Sequence, residues 1–349
     1  MSAATTTIRV LVADDSATVR AWLTAALERD AGIEVVGAAT DGREAVQLAE
    51  TLAPDVITMD VHMPRLDGLA ATREIMARCP TPIVVVSSTV DATDVEATLR
   101  VLETGAVAAI ARPTDERGAA DLVRTVRLMA DVKVVRRTER RPPIQRPAHR
   151  RVAQPTDGVD VVGVAASTGG PSAFFRLLTM LPASMTTPIL LVQHLSAGFL
   201  DGFVAWLSTA SDRAVCIAES GLRPARGTVY VAPDDLHLGV GLNGALRLSP
   251  RDPIGGFRPS ADFLFETLGM HLGPRAVGVM LTGMGTDGVA GLRALHDAGG
   301  TTLAQDRASS AVYGMPDAAH TAGAVDHVLP LDSIAPVLND LCLRRGPSP

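Results

Sequence analysis

The amino-acid sequence predicts an α/β protein made of two doubly wound parallel-sheet domains joined by a linker rich in proline and arginine. In both halves, short apolar runs alternate with stretches of helical periodicity, which is typical of parallel sheets. This alternation stops only once, between residues 131 and 157. The length of 349 residues suits two domains. We therefore expect domains over residues 1–130 and 158–343, with a linker over 131–157.

The first domain contains five strand–helix repeats. Apolar runs predict strands at Ile8–Ala13, Ile33–Ala38, Val56–Met59, Ile83–Val86 and Val107–Ala111. Helical periodicity predicts helices at Ala17–Arg29, Gly42–Leu52, Leu69–Ala77, Asp94–Glu103 and Ala119–Ala130. Five such repeats predict an open parallel sheet with right-handed crossovers.

The predicted linker differs from both domains in composition. Prolines interrupt it at Pro142, Pro143, Pro147 and Pro155, and it contains seven arginines. This composition favours a solvated tether. An acidic partner or a lipid surface that binds the arginines is the alternative.

The second domain repeats the alternation. Strands are predicted at Val159–Ala165, Ile189–Gln193, Thr228–Ala232, Leu236–Val240, Ala276–Leu281 and Thr301–Ala304. Helices are predicted at Ser172–Leu181, Phe199–Thr209, Ser260–His271 and Gly288–Ala298. The Asn243-Gly244 pair predicts a small hairpin with a type I′ turn. The result is an α/β/α domain.

The overall composition of the chain limits the partners, metal sites and locations that we expect for it. Aromatic residues make up 3% of the chain, so Ala, Val and Leu must fill the cores. A net charge of −6 gives no reason to expect a nucleic-acid partner. Three unpatterned cysteines indicate a reducing compartment and no zinc site. No apolar run is long enough to span a bilayer, and Met1–Thr7 lacks the features of a leader. We expect a cytoplasmic protein without membrane insertion.

Three carboxylates follow strands of the first domain. Asp14 and Asp15 come after the first strand, and Asp60 comes after the third. The carboxyl ends of parallel strands share one edge, so these groups converge there. Clustered carboxylates repel unless a hard cation joins them, and Mg²⁺ accepts such oxygen ligands. The alternative is that they cap helices and form turns.

These residues belong to longer motifs. Leu11–Ser16, Met59–Gly68 and Val86–Ser88 resemble response-regulator receiver domains, over about residues 8–128. The resemblance implies a flavodoxin-like fold for this domain. The resemblance implies that Asp60 accepts a phosphoryl group from a chemotaxis histidine kinase. It also implies that Asp14 and Asp15 help Asp60 to hold Mg²⁺, with the His62 backbone carbonyl as a further ligand. Ser87 would hydrogen-bond the phosphoryl oxygen.

Two positions depart from the receiver pattern. Receivers carry a lysine where this chain has Arg112, and Lys133 is the only lysine in the sequence. Arginine keeps the charge but is bulkier and prefers forked contacts. The aromatic residue that often accompanies phosphorylation is replaced by Ala109.

Ser167, His194 and Asp287 each follow a predicted strand of the second domain. Taken singly, the serine and the aspartate are explained as helix caps, and the histidine as a polar residue in a surface loop. Together they share one rim, where a histidine can activate a serine hydroxyl and a carboxylate can orient the imidazole. Glycines at positions 169, 170, 283 and 285 allow backbone N–H groups to approach an oxyanion.

The chain order Ser–His–Asp, without a Gly-x-Ser-x-Gly elbow, disfavours an ordinary lipase or esterase. Two further alternatives remain. One is a non-catalytic regulator that binds partners through its first domain. The other is a phosphate- or nucleotide-binding protein that uses Gly169-Gly170, although the Gly-Lys-Ser/Thr of a P-loop is absent.

The second domain also carries a set of long motifs. The chain resembles the chemotaxis receptor methylesterases over about residues 159–340, in Ala166–Pro171, Val192–His194, Val229–Pro233, Arg258–Asp262, Leu281–Gly288, Ala304–Asp306 and Tyr313–Pro316. The resemblance implies Ser167 as nucleophile, His194 as base and then acid, and Asp287 as the orienting carboxylate. Thr168 and Met284 would lie beside the nucleophile and the oxyanion.

The same resemblance implies an activity. Methyl esters on glutamate side chains of methyl-accepting chemoreceptors would be hydrolysed to release methanol, and receptor glutamines would be deamidated. The esterase reaction would need no cofactor, whereas receiver phosphorylation would need Mg²⁺. Ala165 stands where glycine is usual and Ser196 where proline is usual, and neither change removes a reacting group.

Overall fold

The computed structural model describes residues 7–87, 92–130, 132, 158–196 and 198–343, with only the backbone for 92–96 and 103. The chain forms two compact units, Met1–Ile144 and Gln145–Pro349. Apart from Val132, the predicted linker lies outside the described residues, so its tether role stays a prediction.

The first unit is a five-stranded parallel sheet covered by helices. Its strands are β1 (Ile8–Ala13), β2 (Ile33–Ala39), β3 (Val56–Met59), β4 (Ile83–Ser87) and β5 (Ala108–Ala111). Its helices are α1 (Ala17–Leu27), α2 (Gly42–Leu52), α3 (Gly68–Arg78), α4 (Ala92–Thr104) and α5 (Glu116–Ala130). The strand order β2-β1-β3-β4-β5 and the parallel pairing confirm the predicted flavodoxin-like fold.

Every element predicted for the first unit is present, and only the ends differ. The largest difference is at α5, which begins at Glu116 where Ala119 was predicted. Asp115 explains the earlier start, because its carboxylate accepts a hydrogen bond from Gly118 N–H at 2.8 Å. An aspartate in this position satisfies an N–H group that the first helical turn leaves unpaired.

The second unit is built on a seven-stranded parallel sheet. Its strands are β6 (Val161–Ala166), β7 (Ile189–Gln193), β8 (Ala214–Ile217), β9 (Thr228–Val231), β12 (Ala276–Met280), β13 (Thr301–Gln305) and β14 (His327–Leu329). Its helices are α6 (Gly170–Met180), α7 (Leu200–Leu207), α8 (Ala261–His271), α9 (Val289–Asp297), α10 (Met315–Thr321) and α11 (Leu331–Leu343), with a 3-10 turn at Gly273–Arg275. The α/β/α prediction is confirmed.

A separate antiparallel hairpin pairs β10 (His237–Val240) with β11 (Leu246–Ser249). The strand predicted near residues 236–240 therefore lies outside the parallel sheet. The hairpin is confirmed but the type I′ turn is wrong. That turn needs positive φ at two residues, and only Gly244 has it, at +74°. Gly244 N–H instead donates to Gly241 O at 2.9 Å, which closes the turn one residue earlier.

The order of strands creates a switch point at β6. The sheet order is β14-β13-β12-β6-β7-β9-β8, so the chain leaves β6 toward β7 on one side and returns as β12 on the other. Ligands of open α/β sheets bind in the crevice that such a reversal opens at the carboxyl ends of the strands. The loops after β6, β7 and β12 meet at this crevice.

Close packing fixes α8 against the sheet. A Cβ atom added to Gly163 in β6 would lie 2.5 Å from Leu268 Cδ1, so only glycine lets this helix approach. Phe265 and Leu268 of α8 are fully buried, and each such side chain contributes about 1.5–3 kcal/mol. The first turn of α8 is thereby held near the carboxyl rim of the sheet.

Candidate active site and acidic pocket

Strand pairing brings Ser167 and His194 next to each other. Ala166 of β6 is in register with Gln193 of β7, and each site residue is the next one along its strand. His194 N–H donates to Ala166 O at 3.2 Å. The Gln193 side-chain amide then donates to Ser167 O and His194 O, at 2.9 Å each. This amide fixes the two turns to one another.

The loop after β12 closes the other side of Ser167. Ser167 N–H donates to Thr282 O at 3.1 Å, and Thr282 Oγ1 donates to Thr168 O at 3.0 Å. A Cβ atom on Gly283 would lie 3.0 Å from Ser167 Cβ, so glycine keeps space beside the serine. The hydroxyl of Ser167 is thus held between two loops at the switch point.

His194 and Asp287 form a hydrogen-bonded pair. His194 Nε2 lies 2.9 Å from Asp287 Oδ2, and the two side chains are 12% and 2% exposed. A carboxylate only accepts, so Nε2 carries the hydrogen and Nδ1 carries a lone pair. Within the described residues, that buried Nδ1 has no hydrogen-bond partner. The imidazole therefore presents an unused proton acceptor.

Phe257 covers one face of this imidazole. The ring centroids of Phe257 and His194 are 4.1 Å apart and their planes differ by 10°. Such a stack fixes the ring plane without using either nitrogen. Phe257 is not among the predicted site residues, although it directly precedes the Arg258–Asp262 motif.

The first turn of α8 supports Asp287. Ser260 Oγ donates to Asp287 Oδ1 at 2.5 Å, and Ala261 N–H donates to Oδ2 at 2.7 Å. Burial raises the pKa of the Asp287 carboxyl, but the hydrogen bonds from His194, Ser260 and Ala261 outweigh it and hold the pKa below 3.8. Asp287 is thus a carboxylate at neutral pH.

Of the three predicted residues, two are joined by a hydrogen bond. Ser167 lies beside His194, yet no hydrogen bond links the Ser167 hydroxyl to the imidazole in the part of the chain that the structure describes. Such contacts are often long in the absence of substrate and shorten when it binds. The arrangement provides a half-buried hydroxyl, a histidine on the neighbouring strand with an unpaired acceptor nitrogen, and a fixed carboxylate.

Two backbone N–H groups flank Ser167. Ser167 O accepts from Gly170 N–H at 2.8 Å, and Gly283 O accepts from Met315 N–H at 2.8 Å. In a trans peptide the N–H points opposite to the C=O, so Thr168 N–H and Met284 N–H face away from these donors. Neither donates to a backbone carbonyl among the described residues, so both are candidate donors to an oxyanion.

The first unit has an acidic pocket at the carboxyl ends of β1 and β3. One oxygen each from Asp14, Asp15 and Asp60 lies within 4.8 Å of the others. Asp14 and Asp60 are buried, whereas Asp15 is exposed. Arg112 enters from the end of β5, with Nη2 3.2 Å from Asp14 Oδ2 and 3.1 Å from Asp60 Oδ1.

Electrostatics in this pocket favour a cation. Burial, together with the Asp14 carboxylate, raises the pKa of Asp60 to about 6, although Arg112 opposes the shift. Burial also raises the pKa of Asp14. Three convergent carboxylates that repel one another form an oxygen donor set suited to Mg²⁺.

Ser87 and His62 also lie on elements that end at this edge. Ser87 is buried at the end of β4, and its carbonyl accepts from Arg112 N–H at 2.7 Å. His62 is exposed in the loop after β3. The predicted residues of the first unit are therefore contributed by β1, β3, β4 and β5 and the loops that follow them.

Fold and site together define the class of protein: a parallel-sheet α/β domain with a serine and a His–Asp pair at its switch point, preceded by a flavodoxin-like domain with an acidic pocket. The sequence pattern of the CheB methylesterase family matches residues 162–338, and that of the response regulator receiver domain matches residues 10–124. The chain belongs to the CheB methylesterase family.

Relatives match along nearly the whole chain. A protein-glutamate methylesterase/protein-glutamine glutaminase of Geobacter metallireducens is 44% identical over 97% of this chain and 100% of its own length. One of Myxococcus xanthus is 45% identical over 94% of this chain and 95% of its own length. The crystal structure of the Thermotoga maritima CheB methylesterase catalytic domain covers 52% of this chain and 98% of its own, with a TM-score of 0.51 and 35% identity.

No helix among the described residues has the length and apolar character to cross a membrane.

Proposed function

We propose that this protein is a phosphorylation-regulated protein-glutamate methylesterase that also acts as a protein-glutamine glutaminase. The proposed division is a receiver domain over 1–130, a linker over 131–157 and a catalytic domain over 158–343. The observation that carries the proposal is the His194–Asp287 hydrogen bond, which leaves the buried Nδ1 of His194 unpaired, while strand pairing brings His194 next to Ser167. Relatives that match over nearly the full length carry the same two activities in their names.

In the proposed acylation, Ser167 Oγ attacks the carbonyl carbon of a glutamate methyl ester while His194 Nδ1 takes the hydroxyl proton. Asp287 stays ionised and stabilises the imidazolium through Nε2–H. Thr168 N–H and Met284 N–H donate to the developing oxyanion, and each such donor contributes about 3 kcal/mol. The imidazolium returns its proton to the departing methoxy oxygen, and methanol leaves.

Deacylation repeats the same steps with water. His194 Nδ1 removes a proton from water, whose oxygen attacks the acyl-enzyme carbonyl, and the proton then returns to Ser167 Oγ. A glutamine side chain would react in the same way, with ammonia in place of methanol. None of these steps requires a metal or an organic cofactor, because the residues at the rim supply the nucleophile, the base and the oxyanion donors.

The first domain is the proposed control element. Asp60 accepts the phosphoryl group of a chemotaxis histidine kinase, and Ser87 and Arg112 contact its oxygens. Asp14, Asp15 and Asp60 would hold Mg²⁺, which neutralises charge on the carboxylates and the phosphoryl group when bound. The proposed substrates are methyl-accepting chemoreceptors, which serve adaptation in a chemosensory pathway. With these partners, the proposed location is the cytoplasm.

Methanol release from methylated receptor membranes tests the catalytic proposal. Wild type should release methanol, and Ser167→Ala should reduce release to the level of membranes alone, because the proposed acyl-enzyme forms on the Ser167 hydroxyl. Equal release by both proteins would refute the proposal.

Adding a phosphodonor with Mg²⁺ tests the proposed control. Wild type should gain activity, and Asp60→Ala should keep its basal activity without responding. An equal response in both proteins would show that the acidic pocket does not regulate the esterase.

A further inference from the structure

A second histidine in the catalytic unit has no role in the proposed reaction. His237 begins β10 and is fully buried, with its ring 5.1 Å from that of Phe263. Both of its nitrogens are used. Nδ1 accepts from Ser260 N–H at 3.2 Å, and Nε2 lies 3.2 Å from Asp252 O.

These contacts determine the hydrogen positions on the His237 ring. The Asp252 carbonyl can only accept, so Nε2 carries the hydrogen, and Ser260 N–H can only donate, so Nδ1 carries the lone pair. A second hydrogen on Nδ1 would face the Ser260 N–H and break the contact. The ring thus bridges the hairpin and the N-terminus of α8 in one tautomer.

Ser260 continues the chain of contacts to the reacting groups. Its backbone N–H is bound by His237, and its hydroxyl donates to Asp287 Oδ1 at 2.5 Å. Asp287 Oδ2 in turn accepts from His194 Nε2 at 2.9 Å. An unbroken set of hydrogen bonds therefore runs from Asp252 through His237, Ser260 and Asp287 to His194.

We propose that His237 is a positioning residue for the esterase: through Ser260 it orients the Asp287 carboxylate and hence the His194 ring. The inference rests on the proposed function of Ser167. Ser260 is fully buried, so losing the Nδ1 acceptor would leave its N–H unpaired away from water, which is unfavourable. The first turn of α8 would shift to find another acceptor, and Asp287 would move with it.

A pair of substitutions separates this role from simple packing. His237→Phe keeps a flat ring against Phe263 but removes the acceptor, whereas His237→Asn fills the space poorly but retains an oxygen near the position of Nδ1. Packing alone predicts that Phe is the better replacement. Positioning predicts that Asn is the better replacement for catalysis.

The measurements are kcat and KM for methanol release, the rate at which a fluorophosphonate labels Ser167, and the thermal midpoint, all on the full chain. We expect His237→Phe to lower kcat and the labelling rate about tenfold at nearly unchanged KM. His237→Asn should keep more of both rates although its thermal midpoint is lower. The matched control is His271→Phe at a histidine in the last turn of α8, the end of the helix opposite Ser260, which should leave kcat unchanged.

Two outcomes would overturn the inference: a wild-type kcat in His237→Phe, or rates that follow the thermal midpoints of the two variants. Failure of the proposed function looks different, because wild type would then release no more methanol than Ser167→Ala. Fluorophosphonate labelling would still rank the variants in that case, since it reads the activation of Ser167 without a receptor.

Discussion

Two buried carboxylates at the carboxyl ends of parallel sheets, Asp60 and Asp287, behave in opposite ways. Their side chains are 7% and 2% exposed, so loss of water affects both. Asp287 receives hydrogen bonds from an imidazole, a hydroxyl and a helix N-terminus, and its pKa falls. For Asp60, burial and the neighbouring Asp14 carboxylate raise the pKa to about 6, because Arg112 offsets them only in part. Because both carboxyl groups are buried to a similar extent, the charged and hydrogen-bonding groups around each one decide whether its pKa rises or falls.

This difference suits the two proposed roles. A carboxylate that stays ionised can orient a base and stabilise its cation throughout a reaction cycle. A carboxylate whose ionised form is disfavoured by burial and by a neighbouring negative charge is stabilised most when a cation binds beside it. Removing the charge from one of the two carboxylates at a time tests this difference most directly.

Asp287→Asn should have the largest effect. The amide keeps the shape but cannot accept from Ser260, Ala261 and His194 together, and it cannot stabilise the imidazolium. We expect kcat for methanol release to fall about 10⁴-fold. Asp212→Asn, at an exposed position of the same unit, is the control and should keep full activity. A loss below tenfold would show that Asp287 does not orient the base.

Asp60→Asn should stabilise the first unit in the absence of Mg²⁺. The folded pKa of about 6 lies above the ordinary 3.8, so the stabilising contribution is full below pH 4 and is lost as pH rises through 6. The variant should therefore gain about 2–3 kcal/mol of unfolding free energy at pH 7.5.

Urea unfolding followed by Trp22 fluorescence measures this gain, in a Trp206→Phe background that leaves Trp22 as the only tryptophan. Glu34→Gln, at an exposed position, controls for the loss of one negative charge. An unchanged free energy at pH 7.5 would contradict the raised pKa. For Asp287 the sign is reversed, because its stabilising contribution is present above pH 4 and is lost as pH falls through its lowered pKa.

Asp14→Asn should lower the pKa of Asp60 and so reduce the difference between Asp60 and Asp287. The Asp14 carboxylate is one of the causes that raise the pKa of Asp60, second to burial. Its neutralisation should lower that pKa by about one unit. Carboxyl carbon NMR of aspartate-labelled protein follows the titration, and Asp60→Asn identifies the resonance. A pKa that remains near 6 would assign the whole shift to burial.

Phe257→Leu should have the smallest effect. It removes the stack on His194 and leaves the hydrogen bonds to Asp287 in place. A stacked aromatic pair contributes about 0.5–1.5 kcal/mol, so kcat/KM should fall between twofold and tenfold. Phe175→Leu is the matched control, because Phe175 stacks on Trp206 with centroids 4.5 Å apart. Equal losses in both variants would indicate a general packing defect.

The sequence predicted those features that depend on short stretches of chain. Every helix and strand of the first unit has a strong apolar pattern and was found. In the second unit, β8 and β14 were missed because they are short strands at the two edges of the sheet. Helices α10 and α11 were both missed. Helix α10 is only 7 residues long, and α11 contains Pro336, although proline normally interrupts a helical pattern.

The site residues also fall into two groups, those placed by the local sequence and those placed by tertiary packing. Ser167, His194 and Asp287 follow strands directly or through one glycine-rich loop, so strand order alone brought them to one rim. Ser260 and Phe257 reach that rim because α8 packs on β6 and β12, which no local pattern encodes. The Arg258–Asp262 motif was noticed for its resemblance, yet its contact with Asp287 depends on tertiary packing.

The hairpin turn between β10 and β11 makes the catalytic unit divisible. Leu242 at its tip is 92% exposed, and a Cβ on Gly244 would meet no atom within 4 Å. Cutting the chain there would leave Ser167 and His194 on one fragment and Asp287 on the other. Neither piece would hydrolyse an ester by itself, so turnover would report their reassembly and provide a split-enzyme sensor.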